Sequence, residues 1–230
     1  MAISIQTVQF SFFLISNHST LLSIISINLI FHFFGRFASL THLNLSASNF
    51  HGEIPSQISH LTKLASLDLS HNYGLKWKEG PWKRLLQNAT DLKELVLDDT
   101  DMSSISINIL NLSSSLVILS LQRTQLRENL TYGIFCLPNL TFLDLSHNSL
   151  VDSIPSSLLT LPRLSFLNIN CNNLSGEIPN VFPQSNKFRE LDFSVNNLGG
   201  ELPSTLSNLQ HLTLLYLSRN KFSGQIPDVF

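Results

Sequence analysis

From Leu40 onward, apolar residues recur in a 24-residue pattern. In Leu140–Arg163, LTFLDLSHNSLVDSIPSSLLTLPR, they stand at positions 1, 4, 6, 11, 15, 19 and 22, as Leu140, Leu143, Leu145, Leu150, Ile154, Leu158 and Leu161. Units of this kind begin at Leu40, Leu64, Leu92, Leu116, Leu140, Leu164, Phe188 and Leu212; only the interval after Leu64 departs, at 28 residues. Self-similarity at this period marks a solenoid of stacked units. Positions 3 to 7 (Phe142, Leu143, Asp144, Leu145, Ser146) alternate with period two, as a short strand does when one face is buried. The pattern predicts an α/β solenoid of about eight repeats, its strands aligned as one parallel sheet on the concave face. A single unit buries too little to offset its ordering entropy, so stability comes from stacking.

Asn148 holds position 9, and Asn72, Asn172, Asn196 and Asn220 match it. A side-chain amide there can satisfy backbone groups as the chain turns out of the strand. Ser48, Thr100 and Thr124 take its place in the other units; a hydroxyl makes only part of that network, which predicts looser turns. The turn Gly52–Pro55 returns as Gly176–Pro179, Gly200–Pro203 and Gly224–Pro227, with Ser153-Ile154-Pro155 as a variant. Glycine permits the bend and proline holds an extended back-side segment. The longer second unit carries Pro81 followed by WKRLLQNA, which predicts a short helix starting at the proline. Trp77 and Trp82, with Lys76, Lys78, Lys83 and Arg84, read as a basic aromatic patch or, the favoured reading, as an insertion bulging from the back.

Ahead of the repeat domain (34–230), residues 1–33 form an apolar leader without Asp, Glu, Lys or Arg. The window Val8–Phe34 is long enough to span a membrane, yet Asn17, His18, Ser19 and Thr20 break it. A basic n-region and a small-residue cleavage site are both missing. Three readings stay open: a membrane anchor or poor signal through residues 8–34, a cleaved signal, or a non-native leader. Phe34 and Phe37 match Ile58 and Leu61 in register, so 34–39 reads as the tail of a repeat whose strand is absent. The last unit reaches only position 19, at Phe230, which predicts an exposed final strand.

Composition adds little. At 43% hydrophobic, 13% charged and a net charge of −2, the chain suits a leucine-dense interior and offers nothing for nucleic acid. Cys136 and Cys171 fall at repeat positions 21 and 8, back side and strand side, and read as free thiols. No cysteine spacing suggests a metal or redox cofactor. Asn-x-Ser/Thr triplets at Asn17, Asn44, Asn88, Asn111, Asn129, Asn139 and Asn173 are a modest excess over chance and favour a secretory route with glycans.

Positions 3, 5, 7 and 8 are expected to face solvent in columns. Ile118, Phe142 and Phe166 are three consecutive apolar residues at position 3, with Asp144, Asn168, Asp192 and Tyr216 at position 5 and His147 at position 8. These eight are the candidate ligand-binding residues, since an apolar stripe rimmed by polar groups is a recognition signal. The competing reading has the position-5 Asp and Asn bonding along the sheet as scaffold. Asp144 with His147, and Asp68 with His71, recur because the repeat recurs; without a nucleophile, phosphate loop or metal cluster beside them, no catalytic residue and no enzyme activity is expected.

The stretches LTHLNLSASNFHGEIPSQISHLTKLASLDLSHN and LTFLDLSHNSLVDSIPSSLLTLPRLSFLNINCNNLSGEIP resemble the plant-specific class of leucine-rich repeats. FGRFASLTHLNLSASNFHGEIP, GPWKRLLQNATDLKELVLDDTDMSSI and GIFCLPNLTFLDLSHN are more narrowly similar to plant receptor-like proteins of the disease-resistance type. The resemblance covers 34–230. It implies a leucine-rich-repeat horseshoe facing outward at the plasma membrane, binding a protein, peptide or pathogen-derived ligand and signalling with a receptor-kinase partner. That family also has cysteine caps, many more repeats, a loop-out island, a transmembrane helix and a cytoplasmic tail. None is recognisable in this sequence, so the expectation is a truncated ectodomain fragment. Two alternatives stay open: a repeat protein similar to plant inhibitors of fungal polygalacturonase, and a fragment without signalling function.

Overall fold

The computed structural model describes residues 7–9, 39–105, 114–127, 129–130 and 137–225. Nine three-residue strands line up in parallel and in chain order: β1 (Thr7–Gln9), β2 (His42–Asn44), β4 (Ser66–Asp68), β6 (Glu94–Val96), β7 (Ile118–Ser120), β8 (Phe142–Asp144), β9 (Phe166–Asn168), β11 (Glu190–Asp192) and β13 (Leu214–Tyr216). From β2 on, every strand starts at position 3 of its repeat and pairs with its neighbour position for position, so Leu119 sits opposite Leu143 and Leu143 opposite Leu167. The hydrophobic period enforces this register, because a one-residue slip would turn the leucine ladder into water. At position 4, Leu67, Leu95, Leu119, Leu143, Leu167 and Leu191 are all 0% exposed. Leu145, Ile169 and Phe193 at position 6 are buried as fully.

The turn after each strand has two fixed parts. Position 8 is left-handed in all eight repeats, at Ala47, His71, Asp99, Arg123, His147, Cys171, Val195 and Arg219, with φ between 51° and 60°. Non-glycine residues resist that region. The bend is held because the position-8 N–H donates to the next repeat, as Val195 does to the Ser218 carbonyl at 2.9 Å. Position 9 then turns inward. Asn72 Nδ2 donates to the carbonyls of Leu45, Leu69 and Ser70, and its Oδ1 accepts the N–H groups of Ser48 and Phe50. Thr100 and Thr124 are just as buried; their hydroxyls donate within their own repeats, to the Leu97 and Leu121 carbonyls, and only that of Thr124 also reaches the next repeat, at Asn148 Oδ1, 3.2 Å away.

Beyond this turn the chain forms further strands where the sequence suggests only a glycine bend. β3 (His51–Glu53) pairs with β5 (Gly74–Lys76), and β10 (Ser175–Glu177), β12 (Asn197–Gly200) and β14 (Lys221–Phe222) make a second parallel sheet. A Cβ on Gly74 would lie 2.6 Å from the His51 Cβ, so the close approach of β3 and β5 requires glycine there.

The insertion in the second unit forms a helix, Glu79–Asn88, starting two residues before Pro81. The basic aromatic patch is corrected here. Trp77 and Trp82 are 1% and 0% exposed and pack edge to face, centroids 5.2 Å apart. Burying two indoles outweighs displaying them. Lys83 pairs with Glu79 at 2.6 Å and Lys78 with Glu53 at 3.3 Å.

The place of the strand ahead of unit one is also corrected: Thr7–Gln9 of the leader fills it, Thr7 opposite His42. The remaining leader residues, Phe34, Phe37, Cys136 and Phe230 lie outside the described residues. Among the described residues no helix is long and apolar enough to cross a membrane. At the other edge of the sheet, Leu214 and Tyr216 on β13 are 42% and 43% exposed.

Candidate functional site

The position-3 column crosses the middle of the concave sheet as Glu94, Ile118, Phe142, Phe166 and Glu190, on strands paired in that order. Ile118, Phe142 and Phe166 are half-buried. The two phenyl rings are stacked, centroids 4.2 Å apart and planes 5° from parallel. That separation is close to the inter-strand spacing of about 4.8 Å. The rings therefore stand upright on neighbouring strands, covering each other's inner faces and presenting edges to solvent.

The position-5 residues are engaged. Asp144, expected outward, is 8% exposed; its carboxylate accepts the Ser146 N–H at 2.8 Å and the Asn168 side-chain amide at 3.1 Å. Asn168 Oδ1 accepts the Asn170 N–H at 3.1 Å. Asp192, half-buried, accepts from the Ser194 N–H and hydroxyl and from Asn170 Nδ2 at 2.7 Å. Asn44 and Asp68 take the N–H two residues on in the same way. An Asp or Asn accepting from residue i+2 makes an Asx turn, which starts the left-handed bend at position 8. Ser146 at position 7, also expected outward, is buried at 0% for the same reason.

Repeats three and four lack this acceptor, having Val96 and Ser120 at position 5, and Asp98 at position 7 of repeat three serves repeat four, accepting the Ser120 hydroxyl at 2.7 Å and the Gln122 N–H at 2.8 Å. Burial raises the Asp98 carboxyl above its ordinary pKa, its two hydrogen bonds work against that rise, the Asp144 carboxylate adds to it, and His71 lowers it. His71 itself bonds Asp99 at 2.7 Å across repeats. His147 is exposed at the strand exit, and Tyr216 stands opposite Asp192 on the edge strand. The structure thus gathers Ile118, Phe142, Phe166, Asp144, Asn168 and Asp192 over β7 to β11, with His147 and Tyr216 at the margins. Among the described residues no group of three His, Cys, Asp or Glu could hold a metal ion.

Of the glycan candidates, Asn44 lies on a concave strand and donates to Asp68, Asn88 at the helix end donates to the Ser59 carbonyl, and Asn139 donates to the Ser114 carbonyl. Asn129 and Asn173 are exposed, and Asn111 lies outside the described residues.

Comparison with known proteins follows the same line. The Leucine Rich Repeat family model matches residues 39–61, 139–161, 163–185, 187–209 and 211–230. Receptor-like protein 9DC1 of Solanum pimpinellifolium is 39% identical over 109 residues, 47% of this chain and 12% of that protein. The chain therefore spans about an eighth of the length of such curated relatives. A TDR receptor crystal structure superimposes with a TM-score of 0.74 at 30% identity, covering 85% of this chain and 33% of the receptor. The Arabidopsis receptor kinase HAESA, solved with the peptide hormone IDA and the co-receptor SERK1, gives 0.70 at 28% identity, covering 82% and 31%. With its sheet register, asparagine turns and matched repeats together, the chain is a leucine-rich-repeat solenoid similar to plant receptor-like proteins.

Proposed function

We propose that this chain is a non-enzymatic recognition module of a plant receptor-like protein, taking a protein, peptide or pathogen-derived ligand on its concave face in defence or developmental signalling. It works facing out of the cell at the plasma membrane, alongside a receptor-kinase partner. The observation that carries the reading is the half-buried stripe of Ile118, Phe142 and Phe166, which stands on the solvent side of the sheet and is flanked by polar groups already tied into turns. Large apolar groups kept at a solvent face are interaction sites. The HAESA complex, with its bound peptide and co-receptor, supports a peptide as ligand and a kinase-linked partner.

The test is a random peptide display library panned against the chain and against the Phe142→Ala/Phe166→Ala double variant, with Lys83→Ala on the insertion helix as control. Peptides enriched on the parent should lose binding to the double variant and keep it on the control. Circular dichroism and thermal melting confirm that the double variant is folded. Enrichment indifferent to the two substitutions would place the binding surface elsewhere.

A further inference from the structure

The apolar stripe is bracketed. At position 3, Glu94 stands one strand before Ile118, and Glu190 one strand after Phe166. Glu94 is exposed and Glu190 half-buried, and neither carboxylate has an ion-pair or hydrogen-bond partner among the described residues. The adjoining cations do not neutralise them. Lys93 and Arg189 precede the two glutamates in the chain, and successive strand residues point to opposite faces. Lys93 instead lines a depression with Lys63 and Asp91.

The ground between the brackets carries more negative charge. Asp98, Asp144 and Asp192 lie at positions 5 and 7 over the same strands, while no Lys or Arg occupies positions 3, 5 or 7 from β6 to β11. Arg123 and His147 stand at position 8, past the strand ends. The section is thus an apolar ridge inside an acidic frame.

Resting on the concave-face reading above, we infer that the column Glu94–Ile118–Phe142–Phe166–Glu190 selects an extended peptide lying across the strands, with an apolar centre and a Lys or Arg on each side. The spacing follows from the sheet. Four inter-strand steps of about 4.8 Å put the two carboxylates roughly 19 Å apart. An extended chain advances about 3.3 Å per residue, so the basic residues fall about six apart, and the apolar residues two and four positions in, which face the sheet with them, lie over the Ile118–Phe142–Phe166 stripe. The frame supplies selectivity: opposite charges at the rim steer and orient, and an acidic peptide meets repulsion along its length.

Synthetic peptides test this on the whole chain by titration calorimetry. One carries Leu-Phe-Leu bracketed by lysines at the derived spacing, a second has glutamates in place of the lysines, and a third serines. The lysine peptide should bind and the glutamate peptide should not. Glu94→Gln/Glu190→Gln should weaken the lysine peptide by about three- to tenfold, as rim charges do, and leave the serine peptide unchanged. High salt should reproduce that loss on the parent chain. Absent binding by the lysine peptide, or equal affinity for parent and double variant, overturns the inference. If the lysine and serine peptides bind alike and both are lost on Phe142→Ala/Phe166→Ala, the charge frame fails and the concave-face site stands. Binding that neither double variant disturbs removes both.

Discussion

The side-chain amide of Asn148 donates to the carbonyl of Leu121, one repeat back in the stack, at 2.8 Å. The same side chain accepts the N–H groups of Thr124 and Leu126, each at 3.0 Å, and donates to the carbonyls of Leu145 and Ser146. One residue therefore sews two repeats together. In Asn148→Ala the carbonyls of Leu121, Leu145 and Ser146 keep the Thr124 hydroxyl, the Asn172 amide and the Arg123 N–H, but the N–H groups of Thr124 and Leu126 lose their acceptor. At about 1–3 kcal/mol for each donor left unpaired, a loss of roughly 2–6 kcal/mol is expected. Thr100→Val removes one bond within a repeat and should cost about 1 kcal/mol. Urea denaturation reads both, and equal losses would mean that the amide adds nothing beyond a hydroxyl.

Val195 is a β-branched residue held at φ 54°. Its neighbours over-determine the bend, since its N–H donates to Ser218 and the Asn196 N–H to Arg219. Asparagine tolerates the left-handed region far better, so Val195→Asn should stabilise the chain by about 1 kcal/mol. A melting temperature that falls would show that the Val195 side chain contributes packing greater than its strain.

Asp98 sets a pH dependence. Its folded-state pKa lies above the unfolded value, so the native state holds the proton more tightly. Stability from this group is therefore greatest at low pH and declines as pH rises from about 3.9 through the raised folded pKa. Asp98→Asn keeps an oxygen for the Ser120 hydroxyl and the Gln122 N–H while removing the buried charge. The variant should match the parent in acid and exceed it in melting temperature at neutral pH. A parent that is the more stable of the two at neutral pH would show that charge-assisted bonding outweighs burial at this site.

Asn173 is exposed, with its side-chain amide free of hydrogen bonds among the described residues, whereas those of Asn44, Asn88 and Asn139 are engaged. A glycan needs an outward, unencumbered amide. Expressed through a plant secretory pathway, the chain should carry a glycosidase-sensitive mass at Asn173 that Asn173→Gln removes. Peptide mapping that finds Asn173 bare while the other three are occupied would reverse the ranking.

The part of this protein that can be read from its sequence is the part that repeats. Leu143 and Leu145 point inward, Asn148 turns the chain, and each strand begins at position 3, because burying aliphatic groups at a fixed interval admits one register. The Asx turns were also within reach, since Asp or Asn stands two residues before Ser at Asn44, Asp68, Asp144 and Asp192; that spacing carries a local hydrogen bond and leaves little reason for these side chains to face a ligand. The left-handed residue at position 8 leaves no such trace, ranging from Ala47 to Val195, because bonds to the following repeat impose it.

What lies across from a residue was decided only by stacking. The upright pairing of Phe142 with Phe166, the second sheet through Gly200 and the docking of Thr7–Gln9 against β2 all join groups many residues apart in the chain. A hydrophobic period states which side chains must leave water. It does not state which neighbour will receive them, and that choice comes from how one repeat settles on the next.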